Sequence, residues 1–396
     1  MKRTFAFLAA TLAALAATSV AAHDHETRYR LIVADATEPT IHVIDVGEAP
    51  VARFDVTSPA RLHLGPDGRH AWAVQRDAGL VQLLDTGFVQ EDHGDHAAVI
   101  IGAPSLLPAT ASGERPVHFN MDAALVAVFW DGSGVATLHD AAAAVGGDLA
   151  PAAVVETGKP HHGVAVPLGD FVIASVAPDG EGLPDALAVL GPDGAELSRV
   201  ACLNLHGEGK AGGFVGFGCE DGVAIFDARA TPPTGRFVPY PADAPTGGMI
   251  RQLLSPANTL ALVGTWGGDA LVILDPSAAT GDFAFATLPA PRMAFALSET
   301  GEIGFAILAD GRLVRFSALT GRVLGEAAGV TAAYSMERGV VRPMMAAAGD
   351  RVAVSDPATG QVALVDAETL AVVERVAVGG APQALLLLAA EADHAH

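Results

Sequence analysis

A unit of short apolar strands separated by tight turns recurs about every 40 to 50 residues along this chain, and that recurrence confines it to a repeat architecture. The unit reads as an apolar strand, a Pro-Asp-Gly-type turn, a second apolar strand, a Gly-rich turn, a third strand ending in Asp, and an outer strand. Arg61-Leu-His-Leu-Gly65, Pro66-Asp-Gly68, His70-Ala-Trp-Ala-Val74 and Gly79-Leu-Val-Gln-Leu-Leu-Asp85 show it in order, with Ala97-Ala-Val-Ile-Ile101 as the outer strand. Third strands of the same kind end at Asp140, Asp227, Asp275 and Asp366. Sequential antiparallel strands at this period predict an all-β protein, a single β-propeller.

First strands beginning near Pro59, Pro116, Pro160, Leu203, Met249, Pro291, Pro343 and Pro382 give eight four-stranded blades. Seven is the alternative count, because residues 328–348 are poorly patterned. The ends carry information about closure. Arg30-Leu-Ile-Val-Ala34 and Thr40-Ile-His-Val-Ile-Asp45 match second and third strands, whereas Ala381-Pro-Gln-Ala-Leu-Leu-Leu-Leu388 matches a first strand. One blade is therefore expected to be built from both termini.

Ahead of the repeats, Lys2 and Arg3 precede an apolar run from Phe5 to Leu15 and then small residues at Ser19-Val-Ala-Ala22. This pattern predicts a signal peptide over residues 1–22, too short to span a bilayer, and a periplasmic mature protein. Residues 23–28 read as a flexible His/Asp segment, 29–390 as the propeller, and 391–396 as a flexible tail. The chain carries 23 basic residues against 45 acidic ones. Loss of Lys2 and Arg3 would make it more acidic still, which argues against nucleic acid or anionic membranes as partners and favours cations. No membrane insertion is expected after cleavage, and the mature chain is expected to be monomeric.

Only two cysteines occur, Cys202 and Cys219, and an oxidising compartment favours pairing them. Leu203 to His206 and Phe214 to Phe217 read as two strands around a turn at Gly209-Lys-Ala-Gly212, which sets the two cysteines opposite each other across a hairpin.

Four histidines fall at equivalent places in four successive repeats: His63, His118, His162 and His206. Innermost strands line the channel of a propeller, so these imidazoles are expected at one level of four adjacent blades. Neutral imidazole is the commonest zinc ligand, at about 2.0–2.1 Å, and three or four make a tetrahedral shell. Methionines at the matching positions of other blades, Met293 and Met345, add a slight case for copper. His161 is expected to face the other side of its strand and Glu208 to orient a ligand imidazole, both behind the ligands themselves. Two further clusters could hold a cation. One is Glu91-Asp-His-Gly-Asp-His96, with His93, Asp95 and His96, expected on the face opposite the start of the innermost strands. The other is the mature start, with His23, Asp24 and His25. No nucleophile–base pair or Gly-x-Ser-x-Gly elbow stands out, and catalysis is not expected.

Together these motifs resemble the AztD family of periplasmic zinc metallochaperones. The resemblance rests on the His-Asp-His start, Glu-Asp-His-Gly-Asp-His, Arg-Pro-Val-His-Phe, Pro-His-His-Gly and Leu-His-Gly-Glu with its flanking cysteines, and it spans essentially the whole mature chain. It implies an eight-bladed propeller that binds Zn2+ and hands it directly to the solute-binding protein of a zinc ABC importer. The alternatives are a propeller metalloenzyme using copper or zinc, and a metal-free lactonase-like or scaffolding propeller.

Overall fold

Strands that are apolar at nearly every position must be covered on both faces, and here they are. His70–Gln75 is buried throughout, as are Leu262–Trp266 and all but the last residue of Gly222–Asp227. Their cover comes from the neighbouring repeat. One cluster joins Val164, Val166, Ile173 and Leu187 to Val215, Phe217, Ala224 and Phe226, and another joins Val263, Leu271 and Ile273 to Phe295, Ala306 and Phe316. The core is thus a series of layers between adjacent sheets. Burial of each layer depends on both neighbours being present, which is the energetic basis of a closed repeat ring.

The computed structural model describes residues 26–48, 50–92, 97–254 and 259–392. The expected leader, His23, Asp24, His25, His93, Asp95 and His96, and the residues after Ala392 lie outside the described residues. Within them are eight four-stranded antiparallel sheets, six of them with their strands in sequential order. This is an eight-bladed β-propeller, as the sequence predicts, and the poorly patterned stretch belongs to a long connection before the innermost strand of blade eight, Met345–Ala348. No helix among the described residues is long and apolar enough to cross a membrane.

Blade one confirms the expected closure. Its innermost strand, Pro382–Ala392, pairs with Glu26–Asp35, which pairs with Thr40–Asp45 and then with Pro50–Asp55. The innermost strands of blades two to seven are Arg61–Leu64, Pro116–Met121, Ala165–Leu168, Glu208–Ala211, Leu253–Leu254 and Arg292–Leu297. The face at which these strands begin is called upper below.

Three details differ from the sequence reading. Ala97–Ile101 is not the outer strand of blade two; it pairs with Phe88–Asp92 in a separate two-stranded hairpin, and Ser105–Ser112 takes the outer place. The cause is a turn at Gly87, whose φ of +68° leads the chain away from the sheet until Gly102 returns it by bonding to the Gly87 carbonyl. Secondly, the hairpin of blade five turns at Gly212-Gly213, not over Gly209 to Gly212, with Ala211 opposite Phe214. A two-residue turn with positive φ at both positions matches strand twist, and these two glycines supply φ of +55° and +82°.

That shorter turn changes the cysteine argument too. Cys202 and Cys219 are bonded, but not as ladder partners. Cys202 follows the outer strand of blade four, Glu196–Ala201, and Cys219 follows the second strand of blade five, Phe214–Gly218. The disulfide therefore joins two blades at the upper face, and both residues are fully buried.

Candidate metal centre

His63 and His118 lie within innermost strands, whereas His162 and His206 sit in the approaches to theirs. The expectation that all four occupy strands is corrected in blades four and five. In blade four the segment before the strand is pinned by side chains. The Ser175 hydroxyl accepts from Val164 N at 2.9 Å and lies 3.0 Å from Nε2 of His161, whose Nδ1–H donates to the Lys159 carbonyl at 2.7 Å. A Cβ at Gly163 would stand 2.3 Å from Phe129 and 2.5 Å from both His161 and Ser175, so only glycine fits there. In blade five, Gly207 at φ +79° interrupts the strand just after His206. His161 is thus buried against the blade and touches none of the other three imidazoles by hydrogen bond; it holds the segment that carries His162.

His118 and His162 approach through their Nε2 atoms at 3.2 Å. Behind each ring stands a carboxylate. Nδ1 of His118 donates to Glu208 at 3.0 Å, and Nδ1 of His162 donates to Asp131 at 2.7 Å. Carboxylates only accept, so both Nδ1 atoms carry protons, and in the neutral rings both Nε2 atoms present lone pairs. Two lone pairs facing at this distance repel unless a cation lies between them. Ligands at about 2.0–2.1 Å on a tetrahedral ion are about 3.3–3.4 Å apart, close to the separation of this pair.

His206 follows the same pattern. Its Nδ1–H donates to the Arg251 carbonyl at 2.8 Å, leaving Nε2 as a lone pair, and its ring centroid lies 5.6 Å from that of His162. His63 stacks on Phe119 at 4.6 Å, and its Nε2 is buried without a hydrogen-bond partner, as is Oδ1 of Asp131. Among the described residues no three His, Cys, Asp or Glu side chains are drawn together into a closed shell. One imidazole pair is in place, with the His206 ring beside His162 and one oxygen of Asp131 unspent.

Electrostatics separates these rings. Burial lowers the His118 imidazole, but Glu208 and Asp131 outweigh it and the net shift is upward. Burial, with the charges of Arg61 and His118, pushes His63 down to about 4. Burial likewise lowers His206. Glu208 is itself buried, which raises its carboxyl, yet the His118 charge and the hydrogen bonds from His118 and Asn120 bring it below the ordinary value.

Asp131 and Asn120 were not singled out from the sequence. Asn120 donates to Glu208 at 3.0 Å from two residues beyond His118, on the same face of the strand. Asp131 directly follows a second strand, Leu125–Trp130, and second strands end on the face where the next innermost strand begins. That rule of topology would have found it. Met293 and Met345 instead pack between blades seven and eight.

The hairpin of Phe88–Asp92 and Ala97–Ile101 packs Phe88, Val99 and Ile101 against Leu64, Leu388 and Ala390, at the far ends of two innermost strands. This is the lower face, and Arg30 secures the base of the hairpin. The Arg30 guanidinium is buried, pairs with both oxygens of Asp45 at 2.6 and 2.9 Å, and donates to the carbonyls of Thr86 and Gly102.

Fold and cluster together define an eight-bladed propeller with a carboxylate-backed histidine site at one mouth of its channel. The chain is similar to the zinc chaperone AztD of Citrobacter koseri, with 29% identity over 368 residues that cover 91% of this chain and 86% of that protein. A crystal structure of Citrobacter koseri AztD matches with a TM-score of 0.87 at 28% identity, covering 93% of this chain and all of that one. A structure of apo AztD from the same organism matches with a TM-score of 0.83 at 26% identity, over 92% of this chain and 99% of that one. The likeness to the AztD family is thus present in both sequence and fold. The dihydro-heme d1 dehydrogenase NirN, at 14% identity and a TM-score of 0.60, shares the fold alone. No family model matches the chain.

Proposed function

We propose that this chain is a periplasmic zinc metallochaperone and not an enzyme. It would carry Zn2+ on His118 and His162, with His206 and His63 completing the shell, and pass the ion directly to the solute-binding protein of a zinc ABC importer. The observation that carries this reading is the fate of the three Nδ1 atoms. Those of His118, His162 and His206 each donate to an acceptor, Glu208, Asp131 and the Arg251 carbonyl. An oxygen acceptor behind the distal nitrogen fixes the tautomer and raises ligand basicity, and it is the usual partner of a metal-bound histidine. Similarity to a zinc chaperone supports the choice of ion.

Zinc suits a carrier because it has no redox chemistry and changes coordination number readily. Transfer would proceed by ligand exchange: an acceptor's imidazole or carboxylate replaces one ligand at a time, so the ion is never fully hydrated. The short His23-Asp-His25 segment and the His93, Asp95, His96 cluster would be weaker, labile sites that take no part in the tight shell.

The test is metal analysis of the untagged protein beside a His118→Ala, His162→Ala double variant. Zinc at about one equivalent in the wild type and little in the variant is expected. Equal zinc content in the two proteins would rule out the channel site.

A further inference from the structure

Cations on this acidic protein are distributed unevenly. Most arginines on the outer strands and the lower face are matched to carboxylates, as in Arg69–Asp85, Arg229–Asp227 and Arg351–Asp366. At the upper face, six blades each place a cation at the start of the innermost strand or on the segment leading into it: Arg61, Arg115, Lys159, Arg251, Arg292 and Arg342. None of the six has a carboxylate within ion-pair distance among the described residues. Lys159, Arg292 and Arg342 donate to backbone carbonyls, which hold their positions without neutralising them. Two carboxylates of this face on turns between second and third strands, Asp77 and Asp310, are spent on Arg76 and Arg312, and Asp131 and Glu208 are spent on His162 and His118.

This collar surrounds the mouth over the histidine pair. Arg61 stands two residues before His63 on the same strand, and Arg251 is the residue whose carbonyl holds His206. Cations beside a cation site weaken its hold, so retention of the ion does not account for them. Exposed apolar side chains accompany the collar. Met336, Val340 and Met344 lie on the connection that leads to the innermost strand of blade eight, at 42%, 36% and 39% exposure.

We infer that the collar is the docking rim for the metal acceptor, a protein surface that presents carboxylates around its own metal site and an apolar spot toward Met336, Val340 and Met344. This rests on the zinc-carrier reading. Opposite charges on the two rims steer the encounter and set the two sites face to face, while like-charged acceptors are turned away.

The experiment measures zinc transfer from the loaded full-length protein to one synthetic chelator carried on either a tetraglutamate or a tetralysine peptide. At low ionic strength the glutamate form should react roughly tenfold faster, with the difference vanishing at high salt. An Arg61→Glu, Arg115→Glu, Arg251→Glu variant should invert the preference, whereas Arg199→Glu, Arg229→Glu, Arg322→Glu, of equal net charge, should keep it. Equal rates for the two peptides, or a preference that both variants lose alike, would overturn the collar. Fluorescence anisotropy of the labelled glutamate peptide with zinc-free protein provides a second arm. If the wild type takes up no zinc, the carrier reading fails while this arm still decides the collar: binding that only the collar variant loses supports it, and absence of binding refutes it.

Discussion

His118 and His162 face one another through their Nε2 atoms at 3.2 Å, each fixed from behind by its own carboxylate. The pair is a socket for positive charge. A proton occupies it when nothing better is present, and the raised affinity of His118 for protons has the same origin as its expected affinity for a metal.

That coupling predicts the pH dependence of loading. Because Glu208 and Asp131 more than offset burial and lift His118 above the ordinary 6.5, zinc must displace a proton from it already above that pH. Apparent zinc affinity should decline as pH falls through neutrality, and in Glu208→Gln the decline should begin at lower pH. Competition titrations with a chelator at several pH values would show this; superimposable profiles would count against the socket.

Removing either carboxylate should leave the fold intact and weaken zinc binding. Asp131→Asn and Glu208→Gln are each expected to cost about 10- to 100-fold in affinity, the range typical of groups that orient metal-bound histidines. Isothermal titration against a competing chelator reads it directly. An unchanged constant in both would mean the carboxylates serve only to satisfy buried imidazoles.

A different histidine reports on stability. His139 is buried at 1% exposure, donates from Nδ1 to the Leu149 carbonyl at 3.0 Å, and receives at Nε2 the Thr137 hydroxyl, which in turn accepts from Trp130. Burial lowers its pKa in the folded state, so the unfolded chain binds the proton more readily. Its contribution is fully present above the unfolded value of 6.5 and is lost as pH falls below it toward the lower folded value. Urea unfolding should show the wild type losing its advantage over His139→Gln between about pH 7.5 and pH 5.5. A constant difference across that range would contradict a neutral buried ring.

The Cys202–Cys219 bond closes a short segment between two blades, with 17 residues of sequence separation. The double Cys→Ala variant should lose about 3 kcal/mol of stability by the chain-entropy argument. Since His206 bonds to the Gly218 carbonyl through its own N–H at 2.9 Å, zinc uptake should persist at temperatures well below unfolding. Calorimetry of oxidised wild type and variant gives the comparison; coincident transitions would show the bond to be idle.

Arg30 offers a test of the lower face. Replacement by Ala strands the buried Asp45 carboxylate and frees two carbonyls at the hairpin base, which should cost about 3–5 kcal/mol. Proteolysis between Gly87 and Gly102 should accelerate at the same time, and a variant cleaved no faster than wild type would show that the hairpin is held by its apolar contacts alone.

The fold was legible because its signals are local. Turn residues, third strands ending in Asp, and a lone first strand at the C-terminal end each appear in a window of a few residues. The blade-two hairpin was misread because Ala97 to Ile101 has the same apolar run as an outer strand, and only the returns at Gly87 and Gly102 separate them. In the site, equivalent positions in repeats brought His63, His118, His162 and His206 to one region. Which rings meet depends on how far each chain travels before its ladder begins, and that is set by Gly163, Ser175 and Gly207 in ways periodicity does not carry. Asp131 escaped because a residue one step past a strand looks like a turn until the neighbouring blade is placed beside it.

The closing blade has a consequence for when this protein can exist as such. Its centre is Pro382–Ala392, laid against Glu26–Asp35 from the opposite end of the sequence. Seven blades can be synthesised and still have no ring, since the layer between blades eight and one lacks its innermost strand until Pro382–Ala392 is made. Leu385 and Leu387 then pack with Leu31, Val33 and Val362, and the circle locks. Assembly is therefore tied to synthesis of that strand, and the histidine socket, which lies on the opposite arc, inherits that timing.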